Sequence, residues 1–383
     1  MLTNSDLIEL TEFRRKLHTV PEVSGEEVET AKLIVAALEP LAPTKIMTDL
    51  GGHGVAVIFD SGTEGPTVLF RAELDALPIH EITDIPWKST ITGKGHMCGH
   101  DGHMTMLLAL GRQLSRTPVA HGRVVLMFQP AEEDGSGACA VVADPRYAEI
   151  RADWAFAIHN EPGRPLGFVS TRPGLINCAS QGLEIKLTGK TAHAADPEDG
   201  ISPARAVAEL IPQLDDLSTG GPISDAFRLV TITHVQIGEP SFGIAPGDAT
   251  VFATLRTAND PAKESIANDA RALAKSVAEK YDLKVSFAVV DDFAASINDP
   301  EATQVARDAM NALSIANGED GLPMRASEDF GVFGWDAKAA MLCMGPGENH
   351  AALHNPDYDF PDDLIPIGGA LFNQIARDLL GSA

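Results

Sequence analysis

The chain has 383 residues, 44% of them hydrophobic and 22% charged, which excludes a wholly disordered chain and one that depends on disulfide staples. Lys and Arg number 29 against 54 Asp and Glu, and a formal charge of −25 repels phosphate backbones and anionic lipid, so neither nucleic acid nor a membrane surface is an expected partner. The four cysteines, Cys98, Cys139, Cys178 and Cys343, form no CxxC pair, residues 1–20 lack the apolar run of a signal peptide, and no apolar stretch nears the ~18–20 residues that span a bilayer, so a cytoplasmic protein is expected.

Residues 6–16 and 26–38 carry helical spacing. Short apolar runs at 55–59 and 67–70, bounded by Gly, Pro and Asp, read as strands. Residues 103–114 are free of breakers and read as a helix, followed by apolar strands at 124–128 and 154–158. Continuous apolar strands alternating with helices predict an α/β/α domain with a mostly parallel sheet. After about residue 180 the style changes. A half-buried strand at 183–187, a helix at 203–217, strands at 228–235 and 249–255, a helix at 261–281 and a strand at 283–289 follow in the order β-α-β-β-α-β. That is the split, ferredoxin-like arrangement. The α/β style returns with a helix at 303–316, a strand at 340–344 and a helix at 364–380. The expected organisation is an α/β domain from residues 1–180 and 293–383, interrupted by a smaller domain at 181–292.

The most informative stretch is Gly95-His96-Met97-Cys98-Gly99-His100-Asp101-Gly102-His103. A thiol, imidazoles and a carboxylate this close together suit a borderline-soft divalent metal such as zinc. The bland alternative is a glycine-rich loop with incidental histidines. A second stretch, Gln129-Pro130-Ala131-Glu132-Glu133-Asp134-Gly135, directly follows a strand, where open α/β sheets bind their ligands. Adjacent carboxylates can face different ways, one onto a metal and one towards a water, as metal-assisted hydrolysis requires. Alone, this stretch would more often be a solvated acidic turn.

His159 ends the run at 154–158, and His354 lies shortly after the strand at 340–344. Each by itself is more often a structural histidine than a ligand. Asp75, just past the strand at 67–70, is placed to orient a ligand histidine. These groups all fall near strand ends of one sheet, and that convergence outweighs any single motif. In the inserted domain, His193 sits in a Gly/Ala-rich turn with little packing use, where a functional histidine and an exposed turn histidine are equally open readings, and Arg256 ends a strand as either a holder of a carboxylate or a surface arginine of an acidic protein. A Gly-x-Ser-x-Gly elbow, His-Glu-x-x-His and a phosphate-binding Gly-x-x-x-x-Gly-Lys loop are all absent from the sequence. Cys98 as a protease nucleophile would leave Glu132, Glu133 and His354 without a role.

The motifs Asp75-Ala76-Leu77-Pro78, Met97–His103, Gln129–Glu133, His159-Asn160, Gly189–His193, Ser327–Phe330 and Leu353–Pro356 run over nearly the whole chain. They resemble the metallo-amidohydrolases of the aminoacylase/hippurate hydrolase type, relatives of co-catalytic metallopeptidases that include auxin-conjugate hydrolases. The resemblance implies a catalytic α/β domain interrupted by a lid that mediates homodimerisation. It implies a two-metal centre held by Cys98, His100, Glu133, His159 and His354, with Cys98 bridging the metals. It makes Glu132 the general base and His193 the lid histidine that stabilises the oxyanion. The expected ions are zinc or manganese, with cobalt or nickel also accommodated.

The chain departs from the pattern in two places. Gly243-Ile244-Ala245-Pro246 lacks the asparagine that relatives often carry before this run, and Glu73 stands where many have aspartate. Neither touches the expected metal set. The expected reaction is cleavage of small N-acyl amino acids to a carboxylic acid and a free amino acid. The alternatives are a metal-dependent dipeptidase or carboxypeptidase on the same scaffold, and a non-catalytic protein that only binds metal or ligand. Retention of Glu132 argues against the last.

Overall fold

The computed structural model describes residues 2–383. Its chain forms two compact units, one of residues up to Ile176 with Ser296–Leu322 and Asp329–Ala383, the other of Asn177–Ala295 with Pro323–Glu328.

The first unit opens with α1 (Asn4–Thr19), started by a Thr3–Asp6 capping box, and α2 (Val28–Leu38). Strands β1 (Lys45–Leu50), β2 (Gly54–Asp60) and β3 (Thr67–Glu73) lead to α3 (His100–Arg116). Then come β4 (Arg123–Gln129), the short α4 (Gly137–Ala143) and β5 (Trp154–Asn160). In the second unit the order is β6 (Ala179–Thr188), α5 (Ala204–Asp215), β7 (Arg228–Ile237), β8 (Asp248–Thr257), α6 (Asp260–Lys280) and β9 (Lys284–Phe293). The first unit resumes with α7 (Pro300–Ala312), β10 (Lys338–Met344) and α8 (Leu364–Leu380).

The sheet of the first unit runs β1-β2-β4-β3-β5-β10 and ends in the short strands Val169–Ser170 and Asn317–Gly318. β4, β3, β5 and β10 are mutually parallel, whereas β1 and β2 pair antiparallel at one edge. Every residue of β3 is buried, with Val68, Leu69 and Phe70 a continuous apolar run rather than an alternation and Arg71 and Glu73 sealed in beyond it. α3 is buried on nearly its whole circumference and packs with α8 over the sheet. Parallel strands put their carboxyl ends on one edge, and the residues following β3, β4 and β5 all emerge there.

The sheet of the second unit is antiparallel throughout in the order β7-β8-β6-β9, with Leu183, Ile185 and Leu187 packed against Leu210, Ile266 and Ala270 of its helices. One expected helix is displaced: α7 begins at Pro300 and not at 303. Asp299 caps it by accepting from the amides of Glu301 and Ala302, and Pro300 at the first turn needs no donor. It stops at Ala312, before Ser314 turns into left-handed backbone with φ of 56°. The edge strand β1 carries an interrupted burial pattern and was not legible as a strand.

Candidate metal centre

Two strand ends and two loops bring the site together in the first unit. Cys98 precedes α3, and Gly99 caps it in the left-handed region with φ of 88°. Glu132 and Glu133 lie in the turn after β4, and His159 is near the end of β5. His354 arrives in the loop after β10, held by its backbone N–H on the Met97 carbonyl at 2.8 Å and with φ of 64°. A histidine in that region is sparsely populated backbone, of the kind that persists where surrounding structure enforces it.

The ligand-type atoms crowd together. Cys98 Sγ lies 3.5 Å from His159 Nε2, and His354 Nε2 lies 3.5 Å from Glu133 Oε2. His100 Nε2 is 3.8 Å from Glu133 Oε1 and 3.9 Å from Glu132 Oε2. Such spacings match the edges of a coordination polyhedron, since tetrahedral bonds of ~2.1 Å place ligand atoms about 3.4 Å apart. The triads with ligand atoms within 4.8 Å of one another include Cys98/His100/His159, Cys98/Glu133/His354 and His100/Glu132/Glu133. Cys98 belongs to two of them.

Both inner histidines are oriented by carbonyls. His100 donates from Nδ1 to the Asp75 carbonyl at 2.8 Å, and His159 from Nδ1 to the Asn160 carbonyl at 2.6 Å. That leaves each Nε2 lone pair for a ligand. His100 Nε2 is buried with no hydrogen-bond partner, as expected of an atom reserved for a cation. The expected orienting role of Asp75 falls to its main chain, while its carboxylate, 3.6 Å from His100 Nδ1, accepts from Ser24 Oγ and the Glu133 amide.

The site is strongly anionic. Burial pushes His100 down, but Glu73, Asp75 and Glu133 outweigh it and hold its pKa up at about 10. Burial and the carboxylates of Glu133, Glu132 and Glu73 push the Cys98 thiol well above its usual value. Divalent cations neutralise such a cluster by replacing those protons. Thiolate, imidazole and carboxylate donors together fit zinc or another borderline divalent ion.

A second layer lies behind the donors, and its Arg14, His18 and Arg71 carried no motif in the sequence. His18 on α1 bonds Asp101 through Nδ1 at 2.8 Å, and Arg14 spans Asp101, Asp359 and Asp362. Beneath the site, Arg71 pairs with Glu73 and Asp329, and Glu73 accepts from His103 Nδ1 at 2.8 Å. The available signal was a charged residue on an otherwise core-facing stripe: Leu10, Arg14, Leu17 and His18 share one buried face.

His193 and Arg256 belong to the second unit. His193 lies in a two-residue strand paired with Ile244–Ala245, its ring 72% exposed and its Nδ1 accepting from the Ala195 amide at 3.0 Å. Arg256 ends β8 and donates to the Arg325 carbonyl and Ser327 Oγ at 2.9 and 2.8 Å. Among the described residues no carboxylate forms an ion pair with it.

The sequence profile of Peptidase family M20/M25/M40 matches residues 69–378, and the chain belongs to that family. Its members are peptidases by name, and with this donor cluster the chain is a metal-dependent hydrolase of amide bonds. Hippurate hydrolase of Campylobacter jejuni is 28% identical over 97% of both chains. An IAA-amino acid hydrolase of Arabidopsis thaliana is 30% identical over 97% of this chain and 87% of its own. A dinuclear metal-binding peptidase of the M20 family from Bacillus subtilis superposes with a TM-score of 0.82 at 26% identity, covering 99% of both chains. Among the described residues no helix is long and apolar enough to cross a membrane.

Proposed function

We propose that the protein is a binuclear amidohydrolase that cleaves N-acyl amino acids to a carboxylic acid and a free amino acid. The observation that carries this reading is the pair of donor triads sharing Cys98, with a second carboxylate, Glu132, beside them. Cys98, His100, Glu133, His159 and His354 hold two divalent ions, zinc or manganese first, with cobalt or nickel as substitutes. The ions supply Lewis acidity, making water a better nucleophile and polarising the amide carbonyl. Glu132 takes the proton of the attacking water and returns it to the leaving amine. His193 donates to the developing oxyanion, and Arg256 holds the carboxylate of the amino acid product.

The names of the two relatives, a hippurate hydrolase and an IAA-amino acid hydrolase, support an acyl-amino acid amide over a plain dipeptide. Residues 181–292 act as the lid and as the interface of a homodimer. Phe242 and Ile244, exposed beside His193, support a surface that something covers. A cytoplasmic setting keeps Cys98 reduced.

The test is free-amine release from N-acetyl, N-benzoyl and longer N-acyl amino acids and from dipeptides, using metal-stripped enzyme reloaded with zinc or manganese. Metal-dependent release from the acyl amino acids is expected. Cleavage confined to dipeptides would move the protein to the peptidase reading. Glu132→Gln should abolish turnover while retaining metal, and loss of metal instead would mean the two glutamates have exchanged roles.

A further inference from the structure

The polar groups beneath the ligand atoms converge on a side chain that is not itself a ligand. Asn160 ends β5 and is fully buried. Its Nδ2 donates to the Cys98 carbonyl at 2.6 Å and to His103 Nε2 at 3.0 Å. Its Oδ1 accepts from the hydroxyl of Tyr358, which is also fully buried. Its backbone N–H donates to His103 Nε2 at 3.0 Å, and its carbonyl accepts from His159 Nδ1. The other nitrogen of His103 is fixed in turn by Glu73, which is paired with Arg71.

These bonds join the loop before α3, which carries Cys98, the end of β5, which carries His159, and the segment after β10, which carries His354 and Tyr358. The joined positions lie 62 and 198 residues apart in sequence. The backbone is shaped for this contact: a Cβ at Gly99 would lie 2.5 Å from Asn160 Nδ2. A displacement of any one segment would strand a buried donor or acceptor, so the three move together or not at all.

We propose that Asn160 is a positioning residue of the metal centre, locking the segments that carry Cys98, His159 and His354 into ligand geometry before any ion arrives. This rests on the reading of those three residues as ligands. Preorganisation of this kind is read in metal affinity more directly than in fold stability.

The test is a cobalt(II) titration of the metal-stripped full-length chain, following the thiolate-to-cobalt absorption band, together with the thermal midpoint. The variants are Asn160→Ala, Tyr358→Phe and a control, Phe156→Leu, a core cavity on the same strand. Asn160→Ala should weaken cobalt binding by roughly 10–100-fold, the range for residues that orient metal ligands. Tyr358→Phe should shift it less and in the same direction, and Phe156→Leu should lower the thermal midpoint and leave the affinity unchanged. Should Asn160→Ala fail to fold, Tyr358→Phe decides the matter. A wild-type band with unchanged affinity in the folded variants would overturn the proposal alone. Absence of the thiolate band in the wild type would overturn the ligand assignment of Cys98 and the proposal with it.

Discussion

The carboxylate of Glu27 accepts the backbone N–H of Ala131 at 2.8 Å, joining positions 104 residues apart. Ala131 immediately precedes Glu132 and has φ of 49°, a left-handed conformation for a residue with a side chain. Glu27 also accepts the Gly25 amide and is completely buried. Loss of this acceptor leaves a buried amide unpaired in a strained turn. Glu27→Ala should therefore cost about 1–3 kcal/mol in chemical denaturation. It should also lower kcat, because the turn aims Glu132. Glu27→Gln keeps an acceptor oxygen and should retain most of both. Equal damage from the two substitutions would assign the effect to charge rather than to the hydrogen bond.

His18 is the clearest source of pH dependence outside the ligand set. Burial pushes its pKa down, but Asp101 on Nδ1, aided by Glu81 near Nε2, overrides this and raises it from 6.5 to about 9. A folded-state value above the unfolded one stabilises fully below about pH 6.5 and is lost as pH rises through about 9. The span corresponds to roughly 3 kcal/mol as an upper figure. Unfolding free energies at pH 6 and pH 9.5 should fall more steeply for the wild type than for His18→Gln. Parallel slopes would show that the His18–Asp101 pair holds α1 to α3 without a proton at stake.

Some of this site was legible from local pattern alone. Cys98–His103 and Gln129–Glu133 are dense in ligand-type side chains, and both adjoin apolar strands or helices whose direction fixes where they emerge. The supporting layer was not legible. Arg14 and His18 look like ordinary polar positions of an amphipathic helix until Asp101 and Asp362 appear, 87 and 348 positions away from Arg14. Glu73 and Arg71 likewise lie in β3, and nothing local announces that both are sealed in. Buried charge pairs between distant segments leave no periodicity, because each partner satisfies the other only after the fold has formed.

Arg256 gives a prediction specific to substrate charge. Its guanidinium bonds a carbonyl and a hydroxyl and has no ion pair among the described residues, although burial pushes its pKa down. An arginine left without an anion in a protein of net charge −25 is available to a substrate carboxylate. A charge-assisted hydrogen bond of about 1.5–3 kcal/mol corresponds to a KM increase of roughly 10–150-fold in Arg256→Ala. The same substrates with the carboxylate esterified should lose little further. An equal effect on acid and ester would reduce Arg256 to a prop for the 323–328 segment, whose Arg325 carbonyl and Ser327 it holds.

Gly102, in the first turn of α3, shows how tightly the ligand loops are packed. A Cβ there would lie 2.4 Å from the ring of Phe360, which is buried and stands edge-on to His103 at 6.0 Å between centroids. The ring cannot withdraw without moving the segment that carries His354 and Tyr358. Gly102→Ala should destabilise by about 1–3 kcal/mol, as overpacking does, and should weaken metal binding at the same time. Phe360→Leu removes the clash while opening a gap of its own. The double variant should thus be more stable than the sum of the single effects, with a coupling of about 0.5–3 kcal/mol measured by denaturation of the four proteins in the cycle. Additive losses would mean that α3 itself yields, tilting its first turn and carrying His100 off the Asp75 carbonyl; the cobalt titration would then show the loss on the His100 side of the site.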